Sequence, residues 1–134
     1  MKNIEHIGIA VKDMDVSKDL FSKLLNVAPY KSEEVASEGV ETVFFKTGET
    51  KVELLAATNE NSPIAKFLEK KGEGIHHIAF EVADIDAEIN RLESEGFKLI
   101  NDKPKNGADN KRIAFLHPKS TNGVLIEICQ EKEK

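Results

Sequence analysis

The chain has 134 residues, 40% hydrophobic and 32% charged, a balance that fits one domain with its own core and excludes a disordered or collagen-like chain. Its net charge of −5 argues against a nucleic-acid groove, which needs a basic surface, and no apolar run nears the ~20 residues of a membrane span. The single cysteine, Cys129, has no internal disulfide partner and the start is unlike a signal peptide, so a reducing compartment, the cytoplasm, is expected.

Residues 4–11 read as a short strand carrying His6. Asp13 is placed to cap a helix in which Val16, Leu20, Phe21 and Leu24 recur at helical spacing. Residues 40–46 and 51–56 form a hairpin around Thr47-Gly48-Glu49-Thr50. Ser62 and Pro63 start a helix within a connector over 59–74, with Ile64, Phe67 and Leu68 as its apolar stripe and Gly72 as its stop. Residues 75–82 make a second strand carrying His77; Asp84 then caps a helix with Ile85, Ile89 and Leu92 on one side and Gly96 at its end. Residues 112–116 and 124–130 form a second hairpin around a longer loop, and 130–134 read as a solvated tail.

These elements repeat. Ile4-Glu5-His6-Ile7-Gly8-Ile9-Ala10-Val11 is echoed by Ile75-His76-His77-Ile78-Ala79-Phe80-Glu81-Val82, and Asp13-Met14-Asp15 by Asp84-Ile85-Asp86 without a gap. Lys51-Val52-Glu53-Leu54-Leu55 matches Leu125-Ile126-Glu127-Ile128-Cys129. Two copies of one strand–helix–strands unit are the simplest reading, with copy one over about 1–58 and copy two over about 75–130 in a single domain of 1–134.

The repeat aligns His6 with His77 and Glu53 with Glu127. Alternation along a strand puts His6 with Ile4, Gly8 and Ala10, and His77 with Ile75, Ala79 and Glu81, so each imidazole has a small neighbour. Glu127 lies with Leu125 and Cys129, an apolar setting in which a carboxylate needs a cation, a donor or a metal. Two imidazoles and two carboxylates suit Zn, Co, Ni, Mn or Fe(II) with positions left open for substrate. His76 faces the other way and reads as structural. Taken alone, each of the four has a plainer reading, and Glu53 could be a solvent-facing residue beside Lys51; their equivalence under the repeat favours the metal set.

A repeated module with one His and one Glu per copy resembles the vicinal oxygen chelate superfamily. The resemblance implies an α+β fold of two tandem βαβββ modules forming a cupped mixed sheet around a metal site. Within it the chain resembles the methylmalonyl-CoA epimerase family over nearly its whole length. The matching segments are 6–11, Ser62-Pro63-Ile64-Ala65-Lys66-Phe67-Leu68, 72–80, and 115–127 with its His117-Pro118-Lys119-Ser120 loop. The resemblance implies interconversion of the (2R) and (2S) forms of methylmalonyl-CoA, by C2 proton abstraction and return through a metal-stabilised enolate. It also implies a divalent metal (Co, Mn, Zn or Ni) on His6, Glu53, His77 and Glu127, proton transfer by Glu127, a CoA thioester partner and a homodimer. Some epimerases carry a second acid/base glutamate where Thr42 stands; Glu41 is one residue early on the other face, and no second group is assigned. Lys119, Ser120 and Thr121 are candidates for the substrate carboxylate or a CoA phosphate, and Lys103, Lys105, Lys111 and Arg112 form a second basic cluster. Three other readings share the fold. A glyoxalase I is disfavoured by the His117 loop, a drug-sequestering protein leaves Glu127 unexplained, and a ring-cleaving dioxygenase uses two histidines and one carboxylate on a longer chain.

Overall fold

The computed structural model describes residues 1–132. Among them the elements run β1 (Asn3–Ala10), α1 (Met14–Leu25), β2 (Lys31–Val35), β3 (Val40–Thr47), β4 (Thr50–Ala57), α2 (Pro63–Lys71), β5 (Gly74–Glu81), α3 (Ile85–Ser94), β6 (Lys105–Gly107), β7 (Lys111–Leu116) and β8 (Ile126–Glu131). The order is βαβββ, a connecting helix, and βαβββ again. No helix among the described residues is long and apolar enough to cross a membrane. The chain divides into two compact units, one of His6–His76 and the other of Met1–Glu5 with the residues from His77 onward.

In the first unit the strand order is β2-β3-β4-β1. Neighbours are antiparallel except β1 and β4, which run parallel with Gly8 opposite Glu53. Val43, Phe45 and Leu54 point to one face and bury against Met14 of α1, with Phe21 and Leu25 packed alongside. The helix starts where Asp13 Oδ1 accepts the Val16 N–H at 3.2 Å. At the far end of the sheet α2 closes a smaller cluster of Ala10, Leu55 and Ile64, with Phe67 and Leu68 against it. Ser62 caps α2 through Oγ to the Ala65 N–H at 3.0 Å, and Pro63 takes the first turn, where no N–H is missed.

The second unit repeats the pattern. Its strand order is β5-β8-β7-β6, with β5 and β8 parallel and Ala79 opposite Glu127. Asp84 Oδ1 caps α3 through the Ala87 N–H at 3.1 Å. Ile85, Ile89 and Leu92 of α3 then bury against Ala114, Leu116 and Ile128. Gly96 follows the helix at φ +97°, a backbone that L side chains avoid.

Two expectations change, and β1 departs from strict alternation. Val16, Leu20 and Leu24 do not face the core; the packed side of α1 is the one bearing Met14, Phe21 and Leu25, about a quarter-turn round the helix. Gln130 and Glu131 belong to β8, and Gln130 Oε1 accepts the Ile85 N–H at 2.9 Å, so the solvated tail does not begin there. Glu133 and Lys134 lie outside the described residues. Finally, β1 buries Glu5 and His6 in succession, where strict alternation would expose Glu5.

Candidate metal-ligand pairs and substrate loop

In the first unit, parallel pairing of β1 and β4 puts His6 and Gly8 on the same face as Glu53. Gly8 has no side chain, which leaves room for the imidazole. His6 Nδ1 stands 3.1 Å from Glu53 Oε2, and both side chains are buried. Phe44 lies directly opposite Glu53 on β3, with Thr42 two residues before it on that face. The β3–β4 register is continuous from Val40 to Thr47, so no bulge re-aims Glu41, which stays on the opposite face with Val43.

The second unit makes the same arrangement from β5 and β8. His77 Nε2 stands 3.3 Å from Glu127 Oε1, and both are buried. Ala79 is opposite Glu127 where Gly8 is opposite Glu53, and Phe115 takes the place of Phe44. The Phe115 ring meets His77 edge-on, with centroids 5.8 Å apart and planes at 82°, which fixes the imidazole plane. Cys129, next on the Glu127 face, is buried and gives its thiol hydrogen to the Phe80 carbonyl. His76 packs edge-on against Phe67 of the connecting helix, 4.9 Å between centroids, on the other face of its strand from His77.

Each pair is a buried imidazole beside a buried carboxylate. Two ligand atoms held at about 2.0–2.2 Å on one tetrahedral or octahedral cation lie roughly 3.0–3.5 Å apart. The observed 3.1 and 3.3 Å fall in that range. Nitrogen with carboxylate oxygen is also the donor mix that divalent first-row metals accept. The residues therefore fit a divalent cation.

Lys119 and Ser120 lie on a 3₁₀ turn, Pro118–Ser120, in the second unit. The turn is held by its own side chains. His117 Nδ1 accepts the Lys119 N–H, Ser120 Oγ accepts the Lys98 N–H, and the Thr121 hydroxyl donates to the Val124 carbonyl. Lys119, Ser120, Lys98, Phe97, Gly96 and Glu95 line an open cleft of about 530 Å³. Two members of the second basic cluster are engaged within the protein. Lys111 is buried with its Nζ 3.9 Å from Glu5 Oε2, and Arg112 is engaged with Asp86 at 3.4 Å. Sequence reasoning missed the Glu5–Lys111 pair, since two charged residues 106 positions apart carry no local sign of meeting.

Residues 5–115 match the model of the glyoxalase/bleomycin resistance protein/dioxygenase superfamily. An ethylmalonyl-CoA/methylmalonyl-CoA epimerase of Cereibacter sphaeroides is 40% identical, over 95% of this chain and 96% of its own. The mitochondrial methylmalonyl-CoA epimerase of Dictyostelium discoideum is 40% identical, over 93% of this chain and 76% of its own. The chain belongs to the methylmalonyl-CoA epimerase family of that superfamily. A Streptomyces coelicolor methylmalonyl-CoA epimerase variant, solved with 2-nitronate-propionyl-CoA, superposes with a TM-score of 0.93 at 35% identity, covering 98% of this chain and 95% of that one. At that similarity the epimerase family's glyoxalase-type fold, with its two βαβββ copies and mixed sheet, is the fold of this chain.

Proposed function

We propose that this chain is a methylmalonyl-CoA epimerase, that His6, Glu53, His77 and Glu127 hold one divalent cation, and that Glu127 carries the C2 proton. The observation behind this reading is the pair of repeat-related contacts, His6–Glu53 and His77–Glu127, in a chain 40% identical to epimerases over most of its length. A bound cation would supply Lewis-acid stabilisation of the charge that develops on the thioester and carboxylate oxygens. Glu127 is a buried carboxylate beside His77, the group type that accepts a proton from a carbon acid. His77, braced by Phe115, keeps Glu127 in one orientation. Ala79 and Gly8, small residues opposite the two glutamates, leave space for the C2 methyl group. Lys119 and Ser120 receive the substrate's anionic groups along the cleft of Phe97 and Lys98. A CoA thioester partner, a cytoplasmic location and a homodimer belong to the same reading.

The test is exchange of the C2 hydrogen of methylmalonyl-CoA with deuterated solvent, followed by mass spectrometry. Glu127→Gln keeps an oxygen donor and cannot accept the proton, so exchange is expected to fall by about 10²–10⁴-fold, the share of one general acid/base group. Metal content should fall less. Exchange at the wild-type rate in that variant removes Glu127 from the chemistry. Turnover of a glutathione hemithioacetal with no C2 exchange would reassign the chain to glyoxalase I.

A further inference from the structure

His117 follows directly on β7 and is half-buried, with an extended backbone at φ −67° and ψ 130°. Pro118 enforces that extension on the residue before it and brings no N–H to the turn. The first amide hydrogen of the turn is therefore that of Lys119, and His117 Nδ1 accepts it at 3.1 Å. The His117 carbonyl accepts the Ser120 N–H at 2.9 Å. A second set of bonds ties the turn to the chain beside the cleft. The His117 N–H donates to the Lys98 carbonyl at 2.7 Å, and the Lys98 N–H donates to Ser120 Oγ at 2.9 Å. His117 thus anchors a frame that presents the Lys98 and Lys119 side chains and the Ser120 hydroxyl to the cleft.

We propose that His117 is a positioning residue for the substrate's anionic group, acting through Lys119 and Ser120 as an uncharged cap. It rests on the reading of this cleft as the substrate's. Caps are ordinarily Ser, Thr, Asp or Asn, and Asp13, Ser62 and Asp84 fill that place at α1, α2 and α3. An imidazole with its ring proton on Nε2 accepts at Nδ1 and brings no negative charge. An aspartate there would cap as well, and its carboxylate would stand beside the groups that are to hold an anion. Glu95 already lines the cleft, and a Lys119 released from the turn gains it as a rival partner to the substrate. The cap fixes the Lys119 backbone and so narrows the arc that its ammonium group sweeps. A loop ordered before the substrate arrives loses less entropy on binding. The effect of His117 therefore falls on binding rather than on the proton-transfer step.

Steady-state epimerisation of methylmalonyl-CoA by the metal-loaded full chain, with thermal melts on the same samples, tests this. His117→Ala removes the cap and is expected to raise KM about fivefold, the share of one lost cap, with kcat little changed. His117→Asn, an uncharged acceptor, should return KM close to the wild-type value. His117→Asp separates the two roles. Its melt should match that of the Asn variant, because the cap is kept, while its KM rises about tenfold. Asp13→Ala removes a cap from α1 and should leave KM unchanged. The histidine side-chain nitrogen spectrum of the wild type should show His117 as the Nε2–H tautomer near neutral pH. A His117→Asp protein with wild-type KM overturns the proposal. So does a loss confined to kcat in His117→Ala, or a His117 carrying its proton on Nδ1. Any of these in an active wild-type background overturns the proposal alone, whereas a wild type that does not turn over methylmalonyl-CoA overturns the epimerase reading and the proposal with it.

Discussion

His76 and His77 are adjacent, yet they occupy different chemical settings. His77 is buried against Glu127 and Phe115, and His76 packs edge-on against Phe67 of α2. If the proposed ligand set holds, His77→Ala removes bound divalent metal and C2 exchange together. His76→Ala should leave metal content, read by plasma mass spectrometry, nearly unchanged; equal loss in both would place the wrong histidine at the metal. Lys111 poses a different kind of question, because a lysine is seldom buried unless paired. Its partner is Glu5, also buried. Lys111→Met keeps the apolar stem and leaves the Glu5 carboxylate without its cation, and urea melts should register a loss of about 3 kcal/mol. A loss below about 0.5 kcal/mol would mean that the pair contributes nothing net.

Caps and turns show why each βαβββ copy begins and ends its elements where it does. Asp13 and Asp84 cap α1 and α3 identically, so the helix starts follow from one side chain and the first-turn amides it satisfies. The approach of β3 to the start of α2 depends on Gly39. Its φ is +63°, and a Cβ there would stand 2.7 Å from Asn59 Nδ2 and 2.8 Å from Ser62 Cβ. Gly39→Ala therefore combines backbone strain with a clash at the cap of α2, and a cost of about 1–3 kcal/mol is expected in thermal or denaturant unfolding. Ser62→Ala measured beside it separates the cap from the clash. The strands that sequence patterning did not locate, β2 and β6, are edge strands. Lys31-Ser32-Glu33-Glu34-Val35 and Lys105-Asn106-Gly107 are polar because an edge strand has one neighbour and must discourage another, and that removes the hydrophobic signal.

For the molecule as a whole, the repeat predicts a stoichiometry. If the proposed ligand set holds, four ligands drawn as one pair from each copy hold one cation per chain, and metal analysis of the holoprotein should return one equivalent. Removing either histidine should abolish binding rather than halve it. Two equivalents, or half-occupancy in His6→Ala, would assign a separate ion to each pair. Because a ligand of the folded state alone stabilises by RT ln(1 + [L]/Kd), a hundredfold excess of metal over Kd should add about 2.7 kcal/mol. A melt that does not move with metal concentration would detach the cation from the folded structure.

Repetition made the two His–Glu pairs legible from the sequence. One strand histidine or one strand glutamate is a weak sign, but His6 with His77 and Glu53 with Glu127, found at the same places in two copies, impose the same register twice. Helix starts were equally legible, because a cap acts within four residues of itself. Covalent order does not specify which side of an element its neighbours will cover. Val16, Leu20 and Leu24 of α1 have a sound helical period and still face water, since the sheet takes the side carrying Met14 and Phe21. Glu5 and Lys111 look like surface charges along the chain and become a buried pair, and Arg112, apparently free, is taken by Asp86. Periodicity and capping are short-range and so are written locally. Burial and charge pairing depend on what packs opposite, which is decided only when strands distant in the chain come together.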